Sequence, residues 1–213
     1  MKIYIGEIVD SEFEQMDEDA ICPIKLRHEL EGLSDGEDIE LEINSIGGSV
    51  IAGNAMISQL REAQSNGHKV ISNVHGIAAS MGSAIACAAD QLVMDENAVL
   101  MLHNPWTMAC GNQNDLRKEA DTLELLAKTL VQVYKTKFPS KSEEEIKAMM
   151  DAETWILALE AEQYGLVCEI DHSVSEPLKI AAKWCDKMKS FKKIPEVLNM
   201  TEKEDEVKTE DTK

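Results

Sequence analysis

Three short segments of the chain carry residue types that can perform acyl-transfer chemistry. Residues 43–49 read Ile-Asn-Ser-Ile-Gly-Gly-Ser, residues 76–82 read Gly-Ile-Ala-Ala-Ser-Met-Gly, and residues 101–106 read Met-Leu-His-Asn-Pro-Trp. The second segment places Ser80 among small residues at the expected start of a helix. The third places His103 at the end of an apolar strand. A serine hydroxyl beside a histidine can act as a nucleophile with its general base.

Each segment also has a purely structural interpretation. The adjacent Gly47 and Gly48 can form a plain turn, or present backbone N–H groups to a phosphate or an oxyanion. Ser80 can cap its helix, and His103 can be a structural histidine, with His75 as the other candidate base. Their order within about 60 residues favours one shared site, because successive strand ends meet at one edge of a parallel sheet.

The elements that would position these residues alternate between strands and helices. Residues 38–44 alternate apolar and acidic side chains, which is the period of a half-buried strand. Similar patterns predict strands at 2–5, 38–44, 69–75, 91–94 and 99–103, helices at 50–65, 80–89, 113–138 and 160–164, and a last helix at 176–189. Gly76 is expected to break the strand at 69–75, a capping box at 142–145 predicts another helix, and residues 166–170 form a further apolar segment. This alternation predicts an α/β fold with a mostly parallel sheet.

The three segments resemble the signature segments of the Clp protease proteolytic subunit family. Residues 153–167, which begin Glu-Thr-Trp-Ile-Leu, resemble a fourth segment of that family, and the resemblance extends from about residue 2 to residue 170. It implies an α/β, crotonase-like superhelix of β-β-α units with a long protruding handle helix after the histidine. The predicted helix 113–138 fits that handle by position and length.

The resemblance also implies a mechanism. Ser80 would attack a peptide carbonyl, and His103 would take its proton and return it to the leaving amine. The backbone N–H groups of Gly48 and Met81 would form the oxyanion hole. The implied activity is therefore that of a serine endopeptidase, with no metal and no cofactor.

Two positions depart from the family pattern. Ile46 stands where the family has proline. Isoleucine gives the loop an additional backbone N–H and more conformational freedom than proline would. Glu153 stands where the family has the aspartate that orients the histidine, and glutamate can perform that role with a longer reach. Asp151 competes with Glu153 for this role, and a water or a backbone carbonyl is the remaining alternative.

Composition excludes several other classes of protein. Forty acidic residues against 21 basic ones give a formal charge of −19, which disfavours nucleic acid as a partner. No apolar run approaches the roughly 20 residues that span a bilayer, and the first residues lack a secretory signal, so we expect a cytoplasmic protein. The five cysteines contain no C-x-x-C pair, which favours free thiols over disulfides or a zinc site.

The resemblance divides the chain into a peptidase domain at 1–172, a helical extension at 173–200 and an acidic, disordered tail at 201–213. Such a divergent chain with a tail resembles phage-encoded members that mature the capsid. We therefore expect a protein substrate, such as a capsid or scaffold protein, and a homo-oligomeric ring. The chain has no P-loop, so ATP-driven unfolding would need an AAA+ partner. The alternatives are a crotonase-type acyl-CoA enzyme and a catalytically silent ring or scaffold protein.

Overall fold

A seven-stranded sheet organises the chain. The computed structural model describes residues 1–10, 20–173, 188–189 and 191–195. The strands are β1 (Lys2–Ile5), β2 (Ile39–Ser45), β3 (Val70–Ala79), β4 (Gln91–Asp95), β5 (Val99–Leu102), β6 (Thr154–Leu157) and β7 (Glu169–Asp171). The helices are α1 (Pro23–Leu30), α2 (Val50–Ser65), α3 (Met81–Ala88), α4 (Gln113–Lys135), α5 (Glu143–Asp151) and α6 (Ala161–Tyr164).

The strand order explains how the site is assembled. Strands β1, β2, β3, β4 and β7 pair in parallel in that order, β5 pairs in parallel with β3, and β6 pairs antiparallel with β5. The predicted α/β fold with a mostly parallel sheet is therefore confirmed. In a parallel sheet the carboxyl ends of neighbouring strands share one edge, so residues that follow β2, β3 and β5 come together.

The hydrophobic pattern of β2 shows why this sheet forms. Ile39, Leu41 and Ile43 are fully buried, whereas the residues between them are half-buried. The buried side chains join one core with Met56 and Leu60 of α2. Burying an aliphatic side chain of this size stabilises the folded state by about 1.5–3 kcal/mol, so this alternation fixes which face of β2 meets the helices.

Strand β3 is longer than its sequence pattern predicts. The prediction that Gly76 breaks the strand after His75 is wrong, because β3 continues to Ala79. Gly76 has φ of 101°, and at this point the strand exchanges one neighbour for another. It pairs with β4 through Val74 and with β5 from Ile77 onward. The extra residues carry the chain directly to Ser80.

Helix α4 begins at the predicted residue and ends three residues before the predicted end. Asn112 and Asp115 form a capping box at its start. Its buried residues lie only in its last turns and include Leu130 and Tyr134, so the earlier turns are mostly exposed. The predicted long helix is thus present, whereas its role as a handle between subunits stays a prediction.

Two elements had no counterpart in the sequence prediction. They are the short helix α1 and the antiparallel strand β6. Most of the predicted helix at 176–189 and the whole tail at 201–213 lie outside the described residues. The domain boundaries stay predictions. Within the described ranges, no helix combines the length and the apolar character needed to cross a membrane.

Candidate active site

Ser80 occupies a strained corner between β3 and α3. Its backbone has φ of 55° and ψ of −123°, a combination that costs a residue other than glycine about 1–3 kcal/mol. The surroundings hold this conformation: the Ser80 N–H donates to the Met101 carbonyl at 3.0 Å, and the Ser80 carbonyl accepts from Tyr134 Oη at 3.1 Å and Ser83 Oγ at 2.6 Å. Burial raises the pKa of Tyr134, so its hydroxyl stays a donor.

The side chain of Ser80 contacts His103. Ser80 stands at the N-cap position of α3 but makes no capping hydrogen bond with its side chain, so the interpretation as a helix cap is wrong. Its Oγ lies 2.7 Å from His103 Nε2. The register of β3 and β5 explains this contact, because Ala79 pairs with Met101 and the residues that follow leave the same edge. The structure thus brings the predicted nucleophile and base together.

The environment of His103 favours its neutral ring. Burial lowers the pKa of His103 below its ordinary value of 6.5, and the negative charge of Glu153 opposes that shift only in part. A neutral imidazole with its proton on Nδ1 has an acceptor at Nε2, which is the atom beside the Ser80 hydroxyl. This is the protonation state that a general base needs near neutral pH.

His75 does not compete for this role. Its Nδ1 lies 3.0 Å from Asp95 and its Nε2 lies 2.7 Å from Glu42, so both ring nitrogens are engaged by carboxylates on neighbouring strands. Burial alone would lower the pKa of His75, but these hydrogen bonds outweigh it and the pKa is raised. The ring is held on the sheet and not at the Ser80 corner.

The glycine turn after β2 lies directly against this corner. A Cβ on Gly47, whose φ is 101°, would lie 2.7 Å from Ser80 Cβ and 3.0 Å from the Met81 nitrogen. A Cβ on Gly48 would lie 2.0 Å from the Ile8 carbonyl oxygen. In the described part of the chain, neither Gly48 nor Met81 donates its N–H to another group. These two donors are available to a ligand beside Ser80.

Neither predicted acid is hydrogen-bonded to His103. Glu153 Oε1 accepts from the backbone N–H groups of Lys192 at 2.6 Å and Lys193 at 2.7 Å. Asp151 Oδ1 instead accepts from Asn104 Nδ2 at 2.7 Å. Among the described residues no hydrogen bond joins either carboxylate to the ring. Burial lowers the pKa of His103, and Glu153 is close enough for its charge to offset part of that lowering.

A pocket of about 440 Å³ opens beside the serine. It is lined by Glu7, Ile46, Gly47, Gly48, Val50, Ser80, His103, Pro105, Trp106 and Phe191. Sequence reasoning missed Phe191, whose ring meets His103 edge-on at a centroid distance of 5.4 Å. It also missed the contact of Tyr134 with the Ser80 corner. No sequence motif contains Phe191, so no signal marked it as part of the site. Tyr134 was recognisable in the sequence only as an apolar position of α4.

The site combines a serine in a strained conformation, a histidine whose neutral form is favoured, and two available N–H donors. Such an arrangement can perform nucleophilic acyl transfer. Comparison with known families agrees with this class of site: the model of the family described as Clp protease matches residues 8–173. The chain belongs to the Clp protease family.

Individual relatives carry the name of the proteolytic subunit. The chain is 33% identical over 141 residues to "ATP-dependent Clp protease proteolytic subunit 1" of Streptomyces avermitilis, covering 65% of this chain and 63% of that protein. It is 35% identical over 155 residues to the protein of the same name in Chlamydia abortus, covering 71% and 79%. The match to the Streptomyces relative therefore spans less than two thirds of that protein's length.

Proposed function

We propose that this protein is a serine endopeptidase of the Clp type. The observation that carries the proposal is the 2.7 Å contact between Ser80 Oγ and His103 Nε2 at a strained strand-to-helix corner. Family membership and the names of the relatives support the same activity.

The reaction follows from the positions of these groups. Ser80 Oγ attacks the carbonyl carbon of a peptide bond while His103 Nε2 takes the hydroxyl proton. The oxyanion accepts hydrogen bonds from the N–H groups of Gly48 and Met81. Losing one such donor typically lowers the rate by a factor of about 10²–10³. His103 returns the proton to the leaving amine. Water then hydrolyses the acyl-enzyme by the same route in reverse.

Glu153 is the proposed third member of the triad. Burial lowers the pKa of His103, and the charge of Glu153 offsets part of that lowering, which is the direction expected of an acid that stabilises the imidazolium. Asp151 is engaged with Asn104, the residue that follows the histidine, so it fits a positioning role in the loop. Glu153 Oε1 is held by the N–H groups of Lys192 and Lys193, so the carboxylate must turn before it can accept a hydrogen bond from His103 Nδ1.

The physiological setting is a second level of the proposal. The relatives are named as subunits of an ATP-dependent protease, and most of α4 is exposed, which suits a helix through which two rings of subunits stack face to face. A Clp-type ATPase would then supply unfolded protein. In the phage setting, capsid or scaffold protein is enclosed during assembly and no ATPase is required. The phage setting is favoured by residues 174–213, which extend beyond the region that the family model matches. In either setting the enzyme would act in the cytoplasm.

One experiment tests activity and substrate together. Wild-type protein and Ser80→Ala are each expressed with a candidate phage capsid or scaffold protein, and processing is followed by gel electrophoresis and mass spectrometry. Cleavage that requires Ser80 supports the proposal. Equal processing by both proteins contradicts the mechanism. A crotonase-type acyl-CoA enzyme would not require the contact between Ser80 and His103 and would leave the protein substrate intact.

A further inference from the structure

The chain's own C-terminal region lies on the candidate active site. Residues 191–195, which we call the C-terminal strap, follow the region matched by the Clp protease family model. Phe191 lines the pocket that contains Ser80, and its ring packs edge-on against His103 at 5.4 Å and Trp155 at 5.7 Å. The strap therefore occupies space beside both proposed catalytic residues.

The backbone of the strap binds the proposed acid. The N–H groups of Lys192 and Lys193 converge on Glu153 Oε1, and Lys193 Nζ donates to the Ala152 carbonyl at 2.5 Å. Hydrogen bonds to an ionised carboxylate are stronger than those between neutral groups. Glu153 itself has φ of 51°, so its backbone is held in a sparsely populated conformation while it binds the strap.

A small apolar cluster anchors the strap on either side of these bonds. Phe191 and Ile194 pack against a cluster that contains Ile46 and Trp155. Met188, three residues before Phe191, belongs to the same cluster and is buried. The strap is thus attached by apolar burial and by hydrogen bonds, and both attachments lie next to the glycine turn and the Ser80 corner.

We infer that the strap is an autoinhibitory contact, an inference that rests on the proposed role of Ser80, His103 and Glu153. While the strap is docked, its N–H groups retain the carboxylate that would orient His103, and Phe191 takes up part of the substrate's space. Release of the strap frees Glu153 to accept a hydrogen bond from His103 Nδ1. The docked protein is therefore the slower form and the released protein the faster one.

A backbone substitution can separate this role from a general effect on folding. Lys192→Pro removes one of the two N–H groups that hold Glu153, whereas the matched control Lys192→Ala keeps that N–H. A chain that ends at Ser190 removes the whole strap. The readout is the rate at which a fluorophosphonate labels Ser80, with circular dichroism to verify that each variant is folded.

We expect Ser80 to be labelled at least about tenfold faster in Lys192→Pro and in the shortened chain than in wild type. The reason is that loss of one hydrogen bond to a carboxylate shifts the equilibrium between docked and released strap by about that factor. Lys192→Ala should label at the wild-type rate. Equal rates in all four proteins would overturn the strap inference and leave Ser80 as the nucleophile.

Slower labelling of Lys192→Pro and of the shortened chain would also overturn the inference, since Phe191 would then be part of the pocket that the reaction requires. If the shortened chain does not fold, the comparison of Lys192→Pro with Lys192→Ala decides the question alone. Absence of labelling at Ser80 in every protein would instead contradict the proposed function itself.

Discussion

The close approach of Gly47 to the nucleophile makes a substitution at this position a sharp test of the site. An alanine Cβ would lie 2.7 Å from Ser80 Cβ, whereas non-bonded carbon atoms are most stable about 3.5–4.0 Å apart. The Ser80 corner must therefore shift by roughly 1 Å, and a misplacement of that size can cost about 10² in rate. The φ of 101° adds about 1–2 kcal/mol of backbone strain for alanine.

Gly67 provides the matched control. Its φ is 95°, so alanine meets a similar backbone strain, but nothing lies within 4 Å of the position that its Cβ would occupy. We expect both Gly47→Ala and Gly67→Ala to lower the Tm. Only Gly47→Ala should also lower kcat/KM for a fluorogenic peptide, by about 10². If Gly47→Ala retains wild-type kcat/KM, the proposed contact between the turn and the nucleophile is wrong.

Three further predictions concern the groups around this corner. Tyr134→Phe removes the hydroxyl that donates to the Ser80 carbonyl, so we expect roughly 1 kcal/mol less stability in urea unfolding and a several-fold lower kcat/KM. Because burial lowers the pKa of His103 and the base must be neutral, the acid limb of kcat/KM against pH should have its midpoint below 6.5. Glu153→Gln removes a charge that raises the pKa of His103, so it should move this midpoint to a still lower pH. It should also reduce turnover far more than Asp151→Asn. The reverse order would make Asp151 the third member of the triad.

Sequence patterns predicted the parts of the fold that depend on local periodicity. The alternation in β2 records which side faces the core, and the apolar spacing of α4 has the period of a helix although only its last turns are buried, so the positions of both elements were clear. The continuation of β3 through Gly76 was not, because a glycine commonly ends a strand and only the exchange of β4 for β5 explains its persistence. Strand β6 is short and pairs antiparallel, so four residues gave too little pattern to identify it.

The site was predictable to the extent that its residues share one edge of the sheet. The order of Ser80 and His103 along the chain was enough to place them together, but a serine carries no sign in the sequence that its φ will be positive. The partners of Glu153 were also hidden, because they are backbone groups nearly 40 residues away. Hydrogen bonds of this kind depend on how the chain returns to the site and not on residue type.

The two positions that depart from the family pattern share one neighbour in the structure. Ile46 belongs to the apolar cluster against which Phe191 and Ile194 pack, and Glu153 binds the backbone of Lys192 and Lys193. Glu153 therefore binds the strap directly, and Ile46 belongs to the cluster on which the strap packs. Their position beside the strap gives the two departures one structural context.

Labelling with a fluorophosphonate, mapped by mass spectrometry, tests the central claim most directly, because the reagent reports an activated serine without any knowledge of the substrate. Wild type, Ser80→Ala and His103→Gln are compared at pH 8, with the strap removed if its release proves necessary. The account predicts one adduct, on Ser80, that is absent in Ser80→Ala and forms at least about 10³ times more slowly in His103→Gln. An adduct on another serine, or labelling of Ser80 at the same rate without His103, would contradict it.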